Sequence, residues 1–268
     1  RIYWCRRMDD FIPATKRSWR KLRRTRASDS VGQRAMAIQR STQPCEDGAA
    51  GDNLERAKRE LATSEYWSEV KKKLGIDSLD VLVCLGLGQV CYSVTSRWQT
   101  AIFLLLKDHL RPSRCLAYDP LFNTADRKLL EECGVNVLPE NNEGRLEFES
   151  AKTLFFMPHC GKALMDSVLY ANRRHLTDVT IYGNSFKMMF DQVEFENRLR
   201  RGELPAFRRC QDVYTEVTLD NVFQHKDVFN DLGIVRFGSN LGDDFPEPRY
   251  GDDDEIILQR QMKALGLE

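Results

Sequence analysis

A chain of 268 residues with 42% hydrophobic and 30% charged residues has the composition of a folded, water-soluble protein, long enough for one large domain or two small ones. Its formal net charge of zero argues against long-range attraction of the whole molecule to nucleic acid, and the sequence shows no specific nucleic-acid motif. No apolar run approaches the roughly 18 residues that a bilayer span requires, so we expect no membrane span.

The charges are distributed unevenly along the chain. Residues 1–40 contain twelve Lys and Arg against three Asp and Glu, whereas Asp243 to Glu255 contains seven acids against Arg249 alone. Such blocks are typical of solvated segments. We therefore expect residues 1–52 to form a disordered basic tail that ends in a linker at Gly48 to Asp52, and residues 251–268 to form a short acidic or helical C-terminal segment. The tail is also the expected contact for unknown protein partners.

The eight cysteines indicate a reduced chain. None forms a C-x-x-C pair, which argues against a zinc ribbon or a thioredoxin-type site, and we expect no metal site. Cys84 and Cys115 lie inside apolar runs, where a thiol acts as a small hydrophobic side chain. This pattern predicts a cytoplasmic protein, with the nucleus as a second location.

Beyond the tail, helical and strand patterns alternate along the chain. Helices are predicted at Asn53–Leu74, Val94–Leu110, Thr124–Cys133, Lys162–His175 and Phe186–Leu199. Strands are predicted at Asp80–Leu85, Arg114–Tyr118, Val135–Leu138, Thr153–Met157, Val179–Tyr182 and Val213–Leu219, with an edge strand at Val235–Phe237. This order predicts an α/β domain over residues 53–250, built on a doubly wound, mostly parallel, Rossmann-like sheet with helices on both faces.

A glycine turn follows the first predicted strand. Gly86 and Gly88 stand where a backbone could approach a nucleotide, but the dinucleotide fingerprint would place another glycine at Cys91. A methyltransferase-like turn would carry an acid at Cys84 and a glycine at Val90, and both are absent. Close packing of a strand on a helix is an equally good explanation for the two glycines.

Asp119 ends the second predicted strand. At this position a doubly wound fold often places a carboxylate that binds ribose hydroxyls. A turn in which Asp119 accepts a hydrogen bond from its own backbone is the alternative, and we favour it slightly.

The segment Pro158, His159, Cys160, Gly161 and Lys162 links the fourth strand to a helix. It suggests three chemistries: an anion held at the helix start with help from the lysine, a nucleophilic cysteine of lowered pKa, or an axial haem ligand. The alternative is a histidine that caps the turn and a cysteine that packs in the core. We favour contact with a ligand.

Two further polar pairs stand out, of which Asn184 and Ser185 belong to the candidate ligand site and Asn230 and Asp231 are motif positions only. Asn184 and Ser185 follow the fifth strand, where capping of the next helix is the simpler role. Asn230 and Asp231 form a polar turn near the last strand. Because carboxyl ends of parallel strands share one edge of a sheet, these strand ends should line one pocket. No residue is assigned a catalytic role.

The sequence resembles a known family in five ordered segments. VLVCLGLGQV, LAYDPLFN, LFFMPHCGKAL, IYGNSF and VFNDLGIVRF resemble the motifs of Sensitivity-to-Red-Light-Reduced-like domain proteins, in particular those of animals, over roughly Leu79 to Gly238. The resemblance implies a Rossmann-like domain and a regulatory role. Plant members are associated with the circadian clock and light signalling, and animal members with haem biosynthesis and clock regulation.

Three functions remain open at this point. The first, which we favour, is a non-enzymatic regulator that binds a small ligand at the strand ends, with haem and a nucleoside-type molecule as the candidate ligands. The second is an S-adenosylmethionine- or nucleotide-dependent enzyme that uses the same pocket. The third is a non-catalytic interaction scaffold.

Overall fold

The computed structural model describes residues 49–248; the expected basic tail up to residue 48 and the C-terminal segment 251–268 lie outside them. The helices are α1 (Ala49–Ala62), α2 (Glu65–Leu74), α3 (Val94–Leu110), α4 (Thr124–Glu132), α5 (Lys162–Ala171), α6 (Phe186–Phe190), α7 (Val193–Arg200) and α8 (Pro205–Cys210). The strands are β1 (Val81–Leu85), β2 (Arg114–Tyr118), β3 (Asn136–Val137), β4 (Thr153–Met157), β5 (Val179–Asn184), β6 (Tyr214–Thr218) and β7 (Leu232–Phe237).

The strands form one seven-stranded sheet in the order β3-β2-β1-β4-β5-β7-β6. The first five strands in this order are parallel, and β7 runs antiparallel to both β5 and β6. The strand order reverses between β1 and β4, so the gap beyond their carboxyl ends is the topological switch point at which doubly wound folds bind ligands. The predicted fold class is confirmed.

Hydrophobic side chains fill a core on each face of the sheet. On one face, α1 to α4 pack against β1 through residues such as Leu54, Ile102 and Leu82. On the other face, α5 to α8 pack through residues such as Leu164 and Phe207. Strand β1 is buried along its whole length because its alternate side chains enter both cores. Within the described part of the chain, we find no helix both long and apolar enough to cross a membrane.

Several boundaries differ from the sequence prediction for identifiable local reasons. Helix α1 begins at Ala49, so residues 49–52 of the expected linker are helical. The single helix predicted from Asn53 is interrupted because the Ser64 side chain accepts a hydrogen bond from the Trp67 N–H and starts α2. Helix α5 ends at Ala171 rather than His175.

The C-terminal half of the sheet shows the larger corrections. The helix predicted over Phe186–Leu199 is divided into α6 and α7, and the short helix α8 was not predicted. The predicted edge strand at Val235–Phe237 is part of β7, which lies inside the sheet between β5 and β6. On this side of the sheet the edge strand is β6, whose alternating pattern reflects side chains that are half-buried or exposed.

Candidate functional site at the switch point

The glycine turn after β1 requires both of its glycines. Gly86 and Gly88 have φ angles of 81° and 71°, which L side chains rarely adopt. A Cβ atom on Gly88 would also lie 2.9 Å from Ser96 Oγ on α3. The turn therefore packs closely against Ser96 in the first turn of α3, as close strand-to-helix packing predicts.

The Asp119 side chain, at the end of β2, forms a hydrogen bond with this turn. One of its carboxylate oxygens accepts a hydrogen bond from the Gly88 N–H at 2.7 Å, and the other accepts one from the Leu121 N–H at 2.8 Å. The second bond is the backbone turn that we favoured from the sequence. The side chain is fully buried, and burial raises the pKa of Asp119 to about 7 although both hydrogen bonds oppose the rise.

A second buried carboxylate, Asp126, was missed by the sequence interpretation. It accepts hydrogen bonds from the Cys91 N–H at 2.8 Å and from the Asn123 N–H at 3.2 Å, while Asn123 accepts one from the Asp126 N–H in return. The reciprocal pair is a capping box at the start of α4. The spacing of Asn123 and Asp126 could have revealed the box, but not the contact with Cys91.

His159 lies directly after β4 in a left-handed backbone conformation, with φ of 56°. Its Nε2 atom is 3.2 Å from the Val228 carbonyl oxygen, which also accepts a hydrogen bond from the buried Gln99 side chain of α3. Burial lowers the pKa of His159, and the hydrogen bond to Val228 and the charge of Asp231 only partly offset that effect. Burial thus favours the neutral imidazole, and its contact with Val228 joins the end of β4 to the loop before β7.

Cys160 connects the two strands that flank the switch point. Its side chain is 3% exposed, and its thiol donates to the Leu85 carbonyl oxygen at 3.2 Å, which joins the end of β4 to the end of β1. The Cys160 carbonyl in turn accepts a hydrogen bond from the Asn184 side-chain amide at 2.9 Å. The thiol therefore packs in the core, as the simpler sequence interpretation had it.

The arrangement of these two residues does not fit axial ligation of haem iron. The Cys160 sulfur is buried against a carbonyl oxygen, and the His159 Nε2 atom is engaged by Val228. Either ligand would have to leave its present partner before binding a metal. Within residues 49–248, no group of three or more His, Cys, Asp or Glu side chains is arranged to hold a metal ion.

The ends of β5 and β7 meet beside this segment. Ser185 caps α6 by accepting a hydrogen bond from the Met188 N–H at 3.2 Å, and its own N–H donates to the Asp231 carbonyl oxygen at 2.9 Å. Asp231 has a φ of 55°, and its carboxylate accepts a hydrogen bond from the Asn230 side chain at 3.1 Å. Of the Asn184 side chain, the oxygen Oδ1 is buried and has no hydrogen-bond partner within the described residues.

The structure thus brings most of the predicted site residues to one edge of the sheet but turns Lys162 elsewhere. The Lys162 ammonium donates to the Gln192 side chain at 2.9 Å and lies 5.1 Å from the centre of the Phe195 ring on α7. Gly161 is the N-cap of α5, and Pro158 is buried. An anion site at the start of α5 remains a prediction, and the present position of Lys162 gives it no support.

Comparison with known proteins identifies the family. The SRR1 domain model matches residues 58–236, about two-thirds of the chain. The chain belongs to the SRR1 domain family. The SRR1 match begins inside α1 and ends inside β7, so it takes in β1 to β6, most of β7 and every residue of the site described above.

The relatives come from animals and from a plant. An SRR1-like protein of Mus musculus is 42% identical over 115 residues, which are 41% of this chain and 46% of the mouse protein, less than half of its length. An SRR1-like protein of Drosophila melanogaster is 29% identical over 80% of this chain and 82% of its own. The Arabidopsis thaliana protein Sensitivity to Red Light Reduced 1 is 28% identical over 70% of this chain and 69% of its own. SRR1 membership supports the expectation of a regulatory protein.

Proposed function

We propose that this SRR1-domain protein is a non-enzymatic regulator that binds a small molecule at the switch point between β1 and β4. The observation that carries the proposal is the buried Oδ1 atom of Asn184, which lacks a hydrogen-bond partner within the described residues. A buried acceptor in this state costs about 1–3 kcal/mol, and a ligand with an N–H or O–H donor would recover that cost.

The backbone beside Asn184 supports the same proposal. His159 and Asp231 both adopt left-handed conformations although neither is a glycine. Strain of this kind costs on the order of 1–3 kcal/mol per residue and is concentrated at binding and catalytic sites. Both strained residues are close to Asn184 along the hydrogen bonds: the Asn184 amide donates to the carbonyl of Cys160, the residue after His159, and the Asp231 carbonyl accepts from the N–H of Ser185, the residue after Asn184.

The regulated processes that we propose are haem biosynthesis and circadian timing. Their support is the resemblance to animal SRR-like proteins, together with the Arabidopsis relative, whose name refers to sensitivity to red light. We place the protein in the cytoplasm and the nucleus, with partner contacts through residues 1–52, where residues 1–40 carry a net charge of +9.

A thermal-shift screen of the purified full chain tests ligand binding. The panel contains haem, S-adenosylmethionine, S-adenosylhomocysteine, adenosine, NAD and ATP. A ligand at 100 times its Kd should stabilise the folded state by about 2.7 kcal/mol, which appears as a rise of a few degrees in Tm. We expect at least one such rise, and we expect Asn184→Ala to abolish it.

Asn240→Ala is the matched control for this screen. The Asn240 side chain also makes a hydrogen bond to the backbone, accepting from the Thr177 N–H at 3.1 Å, but at the opposite edge of the sheet. A ligand whose effect survives in Asn184→Ala binds elsewhere. If no ligand shifts Tm, or if both variants lose the shift equally, binding at this site is refuted.

An enzyme that uses a nucleoside-type cofactor is the second candidate, and the strand order favours it. The reversal of strand order between β1 and β4 puts the glycine turn and Asp119 at the edge of the sheet where doubly wound folds bind nucleoside-type cofactors, an argument by analogy of fold. Release of S-adenosylhomocysteine from S-adenosylmethionine in the presence of cell extract, and its loss in Asn184→Ala, would favour the enzyme over the regulator.

A further inference from the structure

The backbone donors of the glycine turn are already in use. The Gly88 N–H donates to Asp119 and the Cys91 N–H donates to Asp126. In sites that bind pyrophosphate, N–H groups of this turn and of the following helix start point at the phosphate oxygens. Here two of the equivalent donors point at carboxylates of the protein itself, so they are not available to an anionic ligand.

Five residues of the chain, 89–93, also separate the glycine turn from the start of α3. The helix begins at Val94, and a turn intervenes in which the Gln89 carbonyl oxygen accepts hydrogen bonds from the N–H groups of Tyr92 and Ser93. Ser93 then caps α3 by accepting a hydrogen bond from the Ser96 N–H. In the dinucleotide fingerprint the helix opens directly from the glycine turn and its dipole faces the phosphates, and this geometry is absent here.

The charges near the turn also disfavour a phosphate group. Residues 86–96 and 119–126 contain no Lys or Arg, whereas they supply the two buried carboxylates. The next basic residues along the chain are Arg127, whose guanidinium donates to the Leu138 carbonyl at 3.3 Å, and Arg97, whose buried Nε atom has no partner within the described residues. Arg97 is therefore tested directly below. A phosphate beside the turn would come close to Asp126 and Asp119. The charge on Asp126, and that on Asp119 once it is ionised, would repel the phosphate strongly where water is excluded.

The opposite side of the switch point offers an acceptor. The buried Oδ1 atom of Asn184 has no partner within the described residues, while the Nδ2 amide of the same side chain donates to the Cys160 carbonyl. The Cys160 thiol in turn donates to the carbonyl of Leu85, the residue before the glycine turn. A molecule placed between the turn and Asn184 would therefore meet a surface that accepts hydrogen bonds and repels anions. Amino groups and hydroxyl groups satisfy it, and phosphates do not.

We infer that the switch point binds a nucleoside without phosphate groups, such as adenosine or an adenosine thioether, and excludes nucleotides and dinucleotides. The glycine turn after the first strand and the carboxylate at the end of the second are where doubly wound folds bind the nucleoside part of their ligands. This inference rests on the proposed function, because it names the class of small molecule that binds there.

Calorimetric titration of the full chain with matched ligands tests the inference. Adenosine and adenosine monophosphate differ only in the phosphate, and S-adenosylhomocysteine and NAD extend the comparison. We expect adenosine and S-adenosylhomocysteine to bind, and adenosine monophosphate to bind at least ~100-fold more weakly, a difference of about 2.7 kcal/mol. Binding of adenosine monophosphate as tight as that of adenosine would overturn the inference. Loss of that binding in Arg97→Gln would then show that Arg97 holds the phosphate.

Charge variants assign the discrimination to the carboxylates. Asp126→Asn should reduce the ratio of the Kd for adenosine monophosphate to the Kd for adenosine about tenfold. Asp212→Asn should leave this ratio unchanged, because Asp212 is exposed beside the amino end of β6. Circular dichroism confirms that each variant is folded, and an unchanged ratio in folded Asp126→Asn would contradict the inference. If no nucleoside binds but another ligand depends on Asn184, the inference fails and the proposed function stands.

Discussion

Asp119 shows how a single buried side chain couples the site to solution conditions. Its two oxygens hold the ends of β1 and β2 together, yet burial dominates and favours the neutral acid. A carboxyl group whose pKa is about 7 in the folded state and 3.8 when exposed binds a proton more tightly in the folded protein. It therefore contributes stability that is fully present below pH 4 and is lost as the pH rises through 7.

We predict that Asp119→Asn removes this dependence. Between pH 4.5 and 6.5, one such group makes the free energy of unfolding fall by about 1.4 kcal/mol for each unit of rising pH. Asp166, whose pKa burial raises to about 8, has the same sign, so the wild-type slope contains both. Urea unfolding at several pH values should show a shallower slope for the variant.

The exposed Asp77 supplies the control for that experiment. Asp77→Asn should leave the slope as in the wild type. The substitution at Asp119 will also change the stability by an amount that does not depend on pH, because the amide nitrogen of asparagine faces one of the two N–H groups, of Gly88 or Leu121, that now donate to the carboxylate. The slope, rather than the absolute stability, is therefore the decisive quantity, and an unchanged slope would contradict the assignment.

At the scale of elements, α2 is fixed to the sheet by a buried pair of tyrosines. The hydroxyl groups of Tyr66 on α2 and Tyr182 on β5 are 2.8 Å apart, and both side chains are fully buried. The Tyr66 ring also stacks on Phe229, with centres 4.6 Å apart, in the loop that carries the His159 contact. The helix, the sheet and the loop at the site thus share one polar contact inside an apolar core.

We predict strong coupling between these two tyrosines. Tyr66→Phe leaves the Tyr182 hydroxyl buried without this partner, and Tyr182→Phe does the same to Tyr66, so each should cost about 1–3 kcal/mol. The double variant removes both polar groups and should cost clearly less than the sum of the single variants. A thermodynamic cycle from urea unfolding measures the difference, with Tyr214→Phe on the edge strand as control; additive costs would contradict the prediction.

Elements with strong patterns were predictable from the sequence, and contacts between distant elements were not. The bounds of β2, β4 and α3 agree with the prediction because an apolar run or a helical period continues between clear stops. The interior position of β7 could not be read from its own residues, since an antiparallel strand beside β5 depends on pairing with Val179–Asn184. Local pattern carries no information about such pairing.

The candidate site divides in the same way. Its location was predictable because strand ends in an α/β sheet share an edge, and the structure does gather the glycine turn, Asp119, His159 and Asn184 there. The direction of each side chain was not predictable. Lys162 turns to Gln192, Cys160 turns to Leu85, and Gln99 joins the site from α3, because packing around each residue decides these directions.

Considered as a whole, the molecule has its site on a sheet supported from both faces. The helices α1 and α2 precede the first strand, yet their side chains belong to the same core as β1 and α3. Leu54 and Leu61 of α1 are 1% and 0% exposed, and Lys58 of the same helix forms an ion pair with Asp108 of α3. We therefore propose that α1 is an integral part of the SRR1 domain, which then begins earlier than the boundary at residue 53.

We predict that truncating apolar side chains of α1 destabilises the entire described domain, which should still unfold in a single transition. Leu54→Ala and Leu61→Ala should each lower the free energy of unfolding by about 2–5 kcal/mol, because each leaves a cavity between α1 and the common core. Since domains of this kind are stable by only about 5–15 kcal/mol, either change should shift the urea midpoint clearly. Far-UV circular dichroism and tryptophan fluorescence should report the same lowered midpoint.

The control for these variants is Val193→Ala, at a side chain that is 78% exposed and should leave the midpoint almost unchanged. The informative alternative is a biphasic transition, in which part of the helical signal is lost at low urea while fluorescence keeps the wild-type midpoint. That result would mean that α1 unfolds by itself, and the domain would then begin after it. A single shifted transition would instead show that the switch point depends on α1, since Leu54, Leu61 and Cys84 of β1 contribute to one core beneath it.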